Sequence, residues 1–183
     1  MDYKDVNLKP WQEDLLKHIE IQTDRLIIWV VGRKGGEGKT WFQEFIASRF
    51  GWDRVVCGMD IKVKKASICH ALRKRPLTTT YIFLFNVGKS FSFNDVNYKV
   101  LEKIKDGRIL ASKFDSMELR FKTPNVVVVF SNDKPKENQL SKDRWLIFNI
   151  QNENLIEITK TPLIPKSTIV VDGDGNAMEN FKY

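Results

Sequence analysis

"RLIIWVVGRKGGEGKTWFQEFIASRF", Arg25–Phe50, is the stretch that decides the fold. Its first eight residues are a nearly unbroken apolar run closed by Gly32. A run without polar alternation reads as a strand buried on both faces, the pattern of a parallel sheet. Thr40 to Phe50 then carries apolar residues at helical spacing. Between them lies "GRKGGEGKT", Gly32–Thr40, and strand, glycine-rich loop and helix in that order are the setting of a phosphate-binding loop. Gly35, Gly36 and Gly38 let the backbone turn its amides inward, and a helix starting at Lys39 adds its positive end. Lys39 is placed to reach β- and γ-phosphates, and the Thr40 hydroxyl to ligate magnesium. The strict spacing calls for glycine at position 33, which is Arg33. Gly32 stands one residue further back, so the loop is longer by one.

Working outward, the same alternation of strand and helix recurs. "KPWQEDLLKHI" has Pro10 at a first helical position and Trp11, Leu15 and Ile19 four apart, an amphipathic helix. "RVVCG" reads as a strand and "KKASICHALRKR", Lys64–Arg75, as a basic helix stopped by Pro76. "TTYIFLFNVG", Thr79–Gly88, is a third strand, and Asp95–Lys105 an amphipathic helix ended by Gly107. Arg108–Lys122 alternates as a basic hairpin or long loop, "NVVVVFSN" is another buried strand, and "WLIFNI" and "NLIEIT" are two more. The fold class is therefore α/β, a mainly parallel sheet flanked by helices with right-handed crossovers and a basic β-hairpin insertion. Residues 1–22 are expected to form an N-terminal helical segment for oligomerisation or linkage, residues 23–160 the core, and residues 161–183 a loosely held tail.

The 183 residues are 42% hydrophobic and 29% charged, the composition of a globular domain with a proper core. No apolar run approaches a membrane span, and "MDYKDVNLKPWQ" has no signal-peptide core, so an intracellular, non-secreted protein is expected. Cys57 and Cys69 read as reduced structural thiols, and His18 and His70 stand apart from them, against a zinc site. Lys and Arg exceed Asp and Glu by 30 to 23, and the resulting +7 favours a polyanionic partner. The strand "YIFLFN" ends on Asn86, where a nucleotide-hydrolysing site places a carboxylate. An amide loses the charge and keeps only a carbonyl oxygen for magnesium.

Five stretches in order, "WVVGRKGGEGKT", "YIFLFNVGKS", "LEKIKDGRILASKF", "VVVVFSN" and "LSKDRW", carry a resemblance over roughly Lys9 to Ile150. The chain resembles the superfamily 3 helicase domain, a P-loop NTPase of AAA+ type, of the Rep replication initiators of small circular single-stranded DNA viruses, in their nanovirus and alphasatellite branch. The resemblance implies an ATP- and magnesium-dependent helicase working as a ring, usually a hexamer, around single-stranded DNA in the host nucleus or cytosol. It implies nucleotide binding by Gly32, Gly35, Gly36, Gly38, Lys39 and Thr40, and catalytic roles for Lys39, Asn86, Asn132 and Arg144. Asn132 is the implied sensor of the γ-phosphate or attacking water, and Arg144 the finger that reaches a neighbour's ATP. Thr40 and Asn86 are the implied metal residues. Lys105, Arg108, Lys113 and Phe114 are the implied DNA contacts.

The family's strand ends "FDxPR", whereas this one reads "FNVGK". Three accounts of Asn86 stay open: a divergent active enzyme, an inactive paralogue, or an engineered substitution that traps ATP. The family's endonuclease needs two histidines flanking one residue, and no such pair occurs, so the chain is expected to lack a nickase. The alternative function is an ATP-binding, hydrolysis-impaired DNA-binding or assembly module. A small P-loop kinase is a third reading, and it leaves "LSKDRW" and "VVVVFSN" without a purpose.

Overall fold

The structure is a computed structural model and describes residues 6–21, 25–88, 96–111 and 117–159, with two short strands at 170–171 and 177–178. In chain order the elements are α1 (Pro10–Ile21), β1 (Ile27–Val31), α2 (Lys39–Phe50), β2 (Val55–Asp60), α3 (Lys65–Leu72), β3 (Ile82–Asn86), α4 (Tyr98–Lys105), β4 (Arg108–Ala111), β5 (Met117–Arg120), β6 (Val126–Ser131), β7 (Trp145–Gln151), β8 (Asn154–Glu157), β9 (Val170–Val171) and β10 (Ala177–Met178).

Five strands run parallel in the order β2-β3-β6-β1-β7, and β8 pairs antiparallel on the outer side of β7. β7 and β8 meet through Asn152 and Glu153, both at positive φ, as a two-residue hairpin turn requires. Every residue of β1 and β6 is buried, which is why their runs show no polar alternation. Side chains alternate between the faces. Trp29, Phe83, Val129 and Ile147 point into one core with α3, α4, β4 and β5, while Val30, Leu84, Val128 and Phe148 point into the other with α1 and α2.

The strand of Asn86, β3, does not pair with β1, the strand that leads into the glycine-rich loop. β6 lies between them, and β3 has β2 and β6 as its neighbours. Apolar runs report burial on both faces but not which crossover brings which strand alongside. The six-residue, wholly buried β6 takes a central position.

The N-terminal segment is built into the body of the domain. Trp11, Leu15 and Ile19 of α1 are buried in the core of the α2 face, Trp11 meets Phe42 edge-on at 5.3 Å, and the Trp11 amide donates to the Glu153 carbonyl. On the other face, Asn125 ties α4 to the sheet: its amide donates to the Ile104 carbonyl and accepts from the Tyr81 N–H. Asn97 caps α4 by accepting from the Val100 N–H. Apart from the ladder of β9 and β10, the tail 161–183 lies outside the described residues.

Candidate nucleotide site

The C-terminal ends of β1, β6 and β3 stand side by side. The Gly32 amide donates to the Ser131 carbonyl at 2.8 Å and the Val87 amide to the Phe130 carbonyl at 2.8 Å. Asn132, just beyond β6, therefore sits between the phosphate loop and Asn86. This edge, where parallel strands end and helices begin, is where open α/β sheets hold ligands.

The loop Gly32–Lys39 runs from β1 into α2. Gly36 and Gly38 have φ of 80° and 88°, which glycine adopts without strain. A Cβ added at Gly35 or Gly36 would meet nothing within 4 Å, so the crest of the loop is open. Its interior is filled by its own side chains. The Glu37 carboxylate accepts from the Lys39 ammonium at 2.9 Å and from the Lys34 amide at 3.3 Å, and the ammonium also donates to the Gly32 carbonyl at 2.5 Å. A Cβ at Gly32 would strike Glu37 Oε2 at 2.1 Å, so only glycine leaves room for this carboxylate. An anion held by Lys39 and a loop amide occupies the place that a phosphate needs. The residues fit a nucleotide phosphate, on the condition that Glu37 swings out.

Asn86 is paired with a residue that sequence reading missed. Gln43, buried on α2, donates to Asn86 Oδ1 at 2.9 Å, and Asn86 Nδ2 donates back to Gln43 Oε1 at 3.3 Å. Gln43 Nε2 also lies 3.4 Å from the Lys39 carbonyl one turn earlier. The signal was available as position: Gln43 is one helical turn past Lys39, so α2 presents it toward the sheet. Gln12 of α1 was missed as well. It is buried, and its Nε2 would stand 3.3 Å from a Cβ at Gly38, so α1 backs the loop. Thr40 is exposed on the first turn of α2. Among the described residues no three His, Cys, Asp or Glu side chains converge as a metal site. Cys57 and Cys69 form no disulfide, and burial pushes both thiols up, which disfavours the thiolate.

Two expected contacts are placed otherwise. Arg144 is 8% exposed, at the start of β7, where Trp145 pairs with Ile27 at the end of the sheet away from the loop. Its guanidinium donates to Asp106 at 2.7 Å and lies 3.8 Å from Glu102, so a reach toward a neighbour requires breaking that clasp. Burial raises the Asp106 carboxyl, but hydrogen bonds from Arg144 and Lys103 outweigh it and hold the group below its ordinary range. Lys105 is 5% exposed and its ammonium donates to the Asn125 carbonyl at 2.6 Å, which removes it from any surface contact with DNA. The reason is helical phase: α4 turns Lys105 inward with Leu101 and Ile104.

Arg108 is exposed on the β4–β5 hairpin, but it and Arg120 share the carboxylate of Glu118, so this face carries less free charge than its arginines imply. Lys113 and Phe114 lie outside the described residues. No helix among the described residues is long and apolar enough to cross a membrane.

No family model matches the chain. Among curated proteins it is similar to Para-Rep C7 of Faba bean necrotic yellows C7 alphasatellite, 35% identical over 145 residues, which are 78% of this chain and 48% of that protein. It is 34% identical over 142 residues to Para-Rep C10 of Milk vetch dwarf C10 alphasatellite, covering 76% of this chain and 47% of that protein. It is 31% identical over 139 residues to the master replication protein of Subterranean clover stunt virus (strain F), covering 76% of this chain and 44% of that protein. The chain spans about half the length of the curated relatives it matches.

Proposed function

We propose, from the premise that this chain is a Rep-like relative of alphasatellite and nanovirus replication proteins, that it is an ATP-driven helicase module of AAA+ type serving DNA replication. The observation that carries the reading is the convergence of loop 32–40, Asn132 and Asn86 on one sheet edge. In this reading Lys39 leaves Glu37 for the β- and γ-phosphates, and the open crest at Gly35 and Gly36 admits them. Thr40 and the Asn86 carbonyl are the residues that would hold a magnesium ion, which would neutralise charge on the phosphates. Asn132 orients the attacking water from its place between loop and β3. A ring of copies around single-stranded DNA completes the motor, and Arg144 contributes to a neighbour's site only after parting from Asp106.

A second reading is favoured by the amide pair. Gln43 engages both polar ends of the Asn86 carboxamide, and no carboxylate replaces it on β3. This supports an ATP-binding module in which hydrolysis is slow and occupancy alone drives DNA binding or assembly.

The two readings share the loop, which one titration tests. ATP with magnesium is expected to bind the unaltered chain, and Lys39→Ala to abolish binding by calorimetry. Equal affinity in the variant removes the loop from both readings.

A further inference from the structure

The segment from 61 to 80 holds Lys62, Lys64, Lys65, Arg73, Lys74 and Arg75 and no acidic residue. It is a solid block of positive charge in a chain where basic and acidic residues otherwise nearly balance. α3 buries Ile68, Cys69 and Leu72 against the sheet and the β4–β5 hairpin, which leaves Ser67, His70, Arg73 and Lys74 exposed at helical spacing. Lys64, Lys65, Arg73 and Lys74 form no ion pair among the described residues. The arginines of the adjacent hairpin differ: Arg108 and Arg120 are tied to Glu118.

At the far end of α3 the positive face meets an aromatic. Arg75 donates to the carbonyls of Trp52 at 3.5 Å and Asp53 at 3.0 Å, which holds that turn beside the helix. Trp52 is 58% exposed, whereas Trp11, Trp29 and Trp145 are buried. An indole left mostly in water, on a turn held by the basic end of the segment, contributes little packing. Asp53, beside Trp52, turns toward Gly51: a Cβ there would meet Asp53 Oδ1 at 2.6 Å.

We propose that α3 and Trp52 form a second single-stranded DNA track, separate from the nucleotide site and the hairpin. Lys64, Lys65, Arg73 and Lys74 bind phosphates and Trp52 stacks on a base. The inference rests on the reading that the chain handles single-stranded DNA. Charge complementarity selects the occupant. The eight residues of α3 span about 12 Å, the reach of three or four phosphates at ~3.4 Å along one strand. Lysine and arginine tracking a backbone with an aromatic platform is how single strands are held without sequence preference.

The test uses an oligothymidylate and the full chain. The unaltered protein is expected to bind with an affinity that falls with salt, and Trp fluorescence to be quenched on binding. Arg73→Ala with Lys74→Ala is expected to lower the salt slope by about 1.4, roughly 0.7 for each lost contact. Trp52→Phe tests the platform: most of the quenching is expected to vanish. Trp52→Ala is expected to weaken binding about tenfold, within the range for one stacked base. ATP binding by each variant is the control for folding, since none of these residues touches the loop. If the unaltered chain binds DNA but slope and quenching survive in the variants, the α3 track is wrong and the DNA reading stands. If the unaltered chain binds no single-stranded DNA at any salt, that reading falls and the track with it.

Discussion

At the scale of single residues, the site is defined by two pairings that a motif cannot express. Glu37 holds Lys39 inside the glycine-rich loop, with side chains only 11% and 19% exposed. On the proposed reading a nucleotide displaces it, so part of the Lys39–phosphate attraction would be offset. Glu37→Gln keeps the size and removes the charge, and it is expected to tighten ATP binding about fivefold, ~1 kcal/mol for a partly screened pair. Calorimetry on the variant checks this, and a weaker affinity would give Glu37 a supporting role with the nucleotide instead. Asn86 carries the second pairing. Asn86→Asp keeps the bond from Gln43 Nε2 but sets a carboxylate oxygen against Gln43 Oε1, so about 1 kcal/mol of stability is expected to go with the lost hydrogen bond. Turnover is expected to rise, and a tenfold gain corresponds to ~1.4 kcal/mol of transition-state stabilisation. Flat or slower turnover would mean that β3 does not supply the acid of the reaction. The strand–loop–helix over 27–50 and the strand ending at Asn86 were legible because glycine-rich loops and strand ends are local patterns. Gln43 and Gln12 were not, because an amide acquires a role only from what the fold sets opposite it.

At the scale of elements, most strands and helices were legible in their apolar periods, and the misplacements came from phase and pairing. The run 125–132 announced burial and became β6, but nothing local placed it between β1 and β3. Lys105 counted as a cation of the hairpin region until α4 turned it into the core. Arg144 likewise reads as an exposed finger in "LSKDRW" and in the structure fastens β7 to α4. That clasp makes a prediction. Asp106→Asn leaves a buried guanidinium, whose Nε has no partner, facing a neutral amide. About 2 kcal/mol of stability is expected to be lost at pH 7, below the cost of a fully buried pair because Asp106 is 30% exposed. The sign with pH follows from the lowered carboxyl. The contribution is whole above the ordinary value of 3.8 and is lost as pH falls through the folded value. Denaturant unfolding from pH 7 down to pH 3 is expected to show a smaller drop in Asp106→Asn than in the unaltered chain. Equal drops would assign the acid sensitivity to other carboxylates.

At the scale of the whole molecule, the faces of the sheet divide the labour. α1 and α2 close one face and back the phosphate loop; α3, α4 and the β4–β5 hairpin close the other and present the basic surfaces. If the chain binds nucleotide and DNA as proposed, the two have separate places on the domain, the arrangement a motor needs if occupancy of one is to alter the other. The net +7 pointed to a polyanion, but only the structure separated free cations on α3 from those neutralised on the hairpin or buried in α4. The most direct test of the motor is ATP hydrolysis by the purified chain, with magnesium, in the absence and presence of single-stranded DNA. Turnover is expected that DNA raises several-fold and that Lys39→Ala eliminates. ATP bound without turnover at saturating DNA would contradict it and leave the hydrolysis-impaired module in its place.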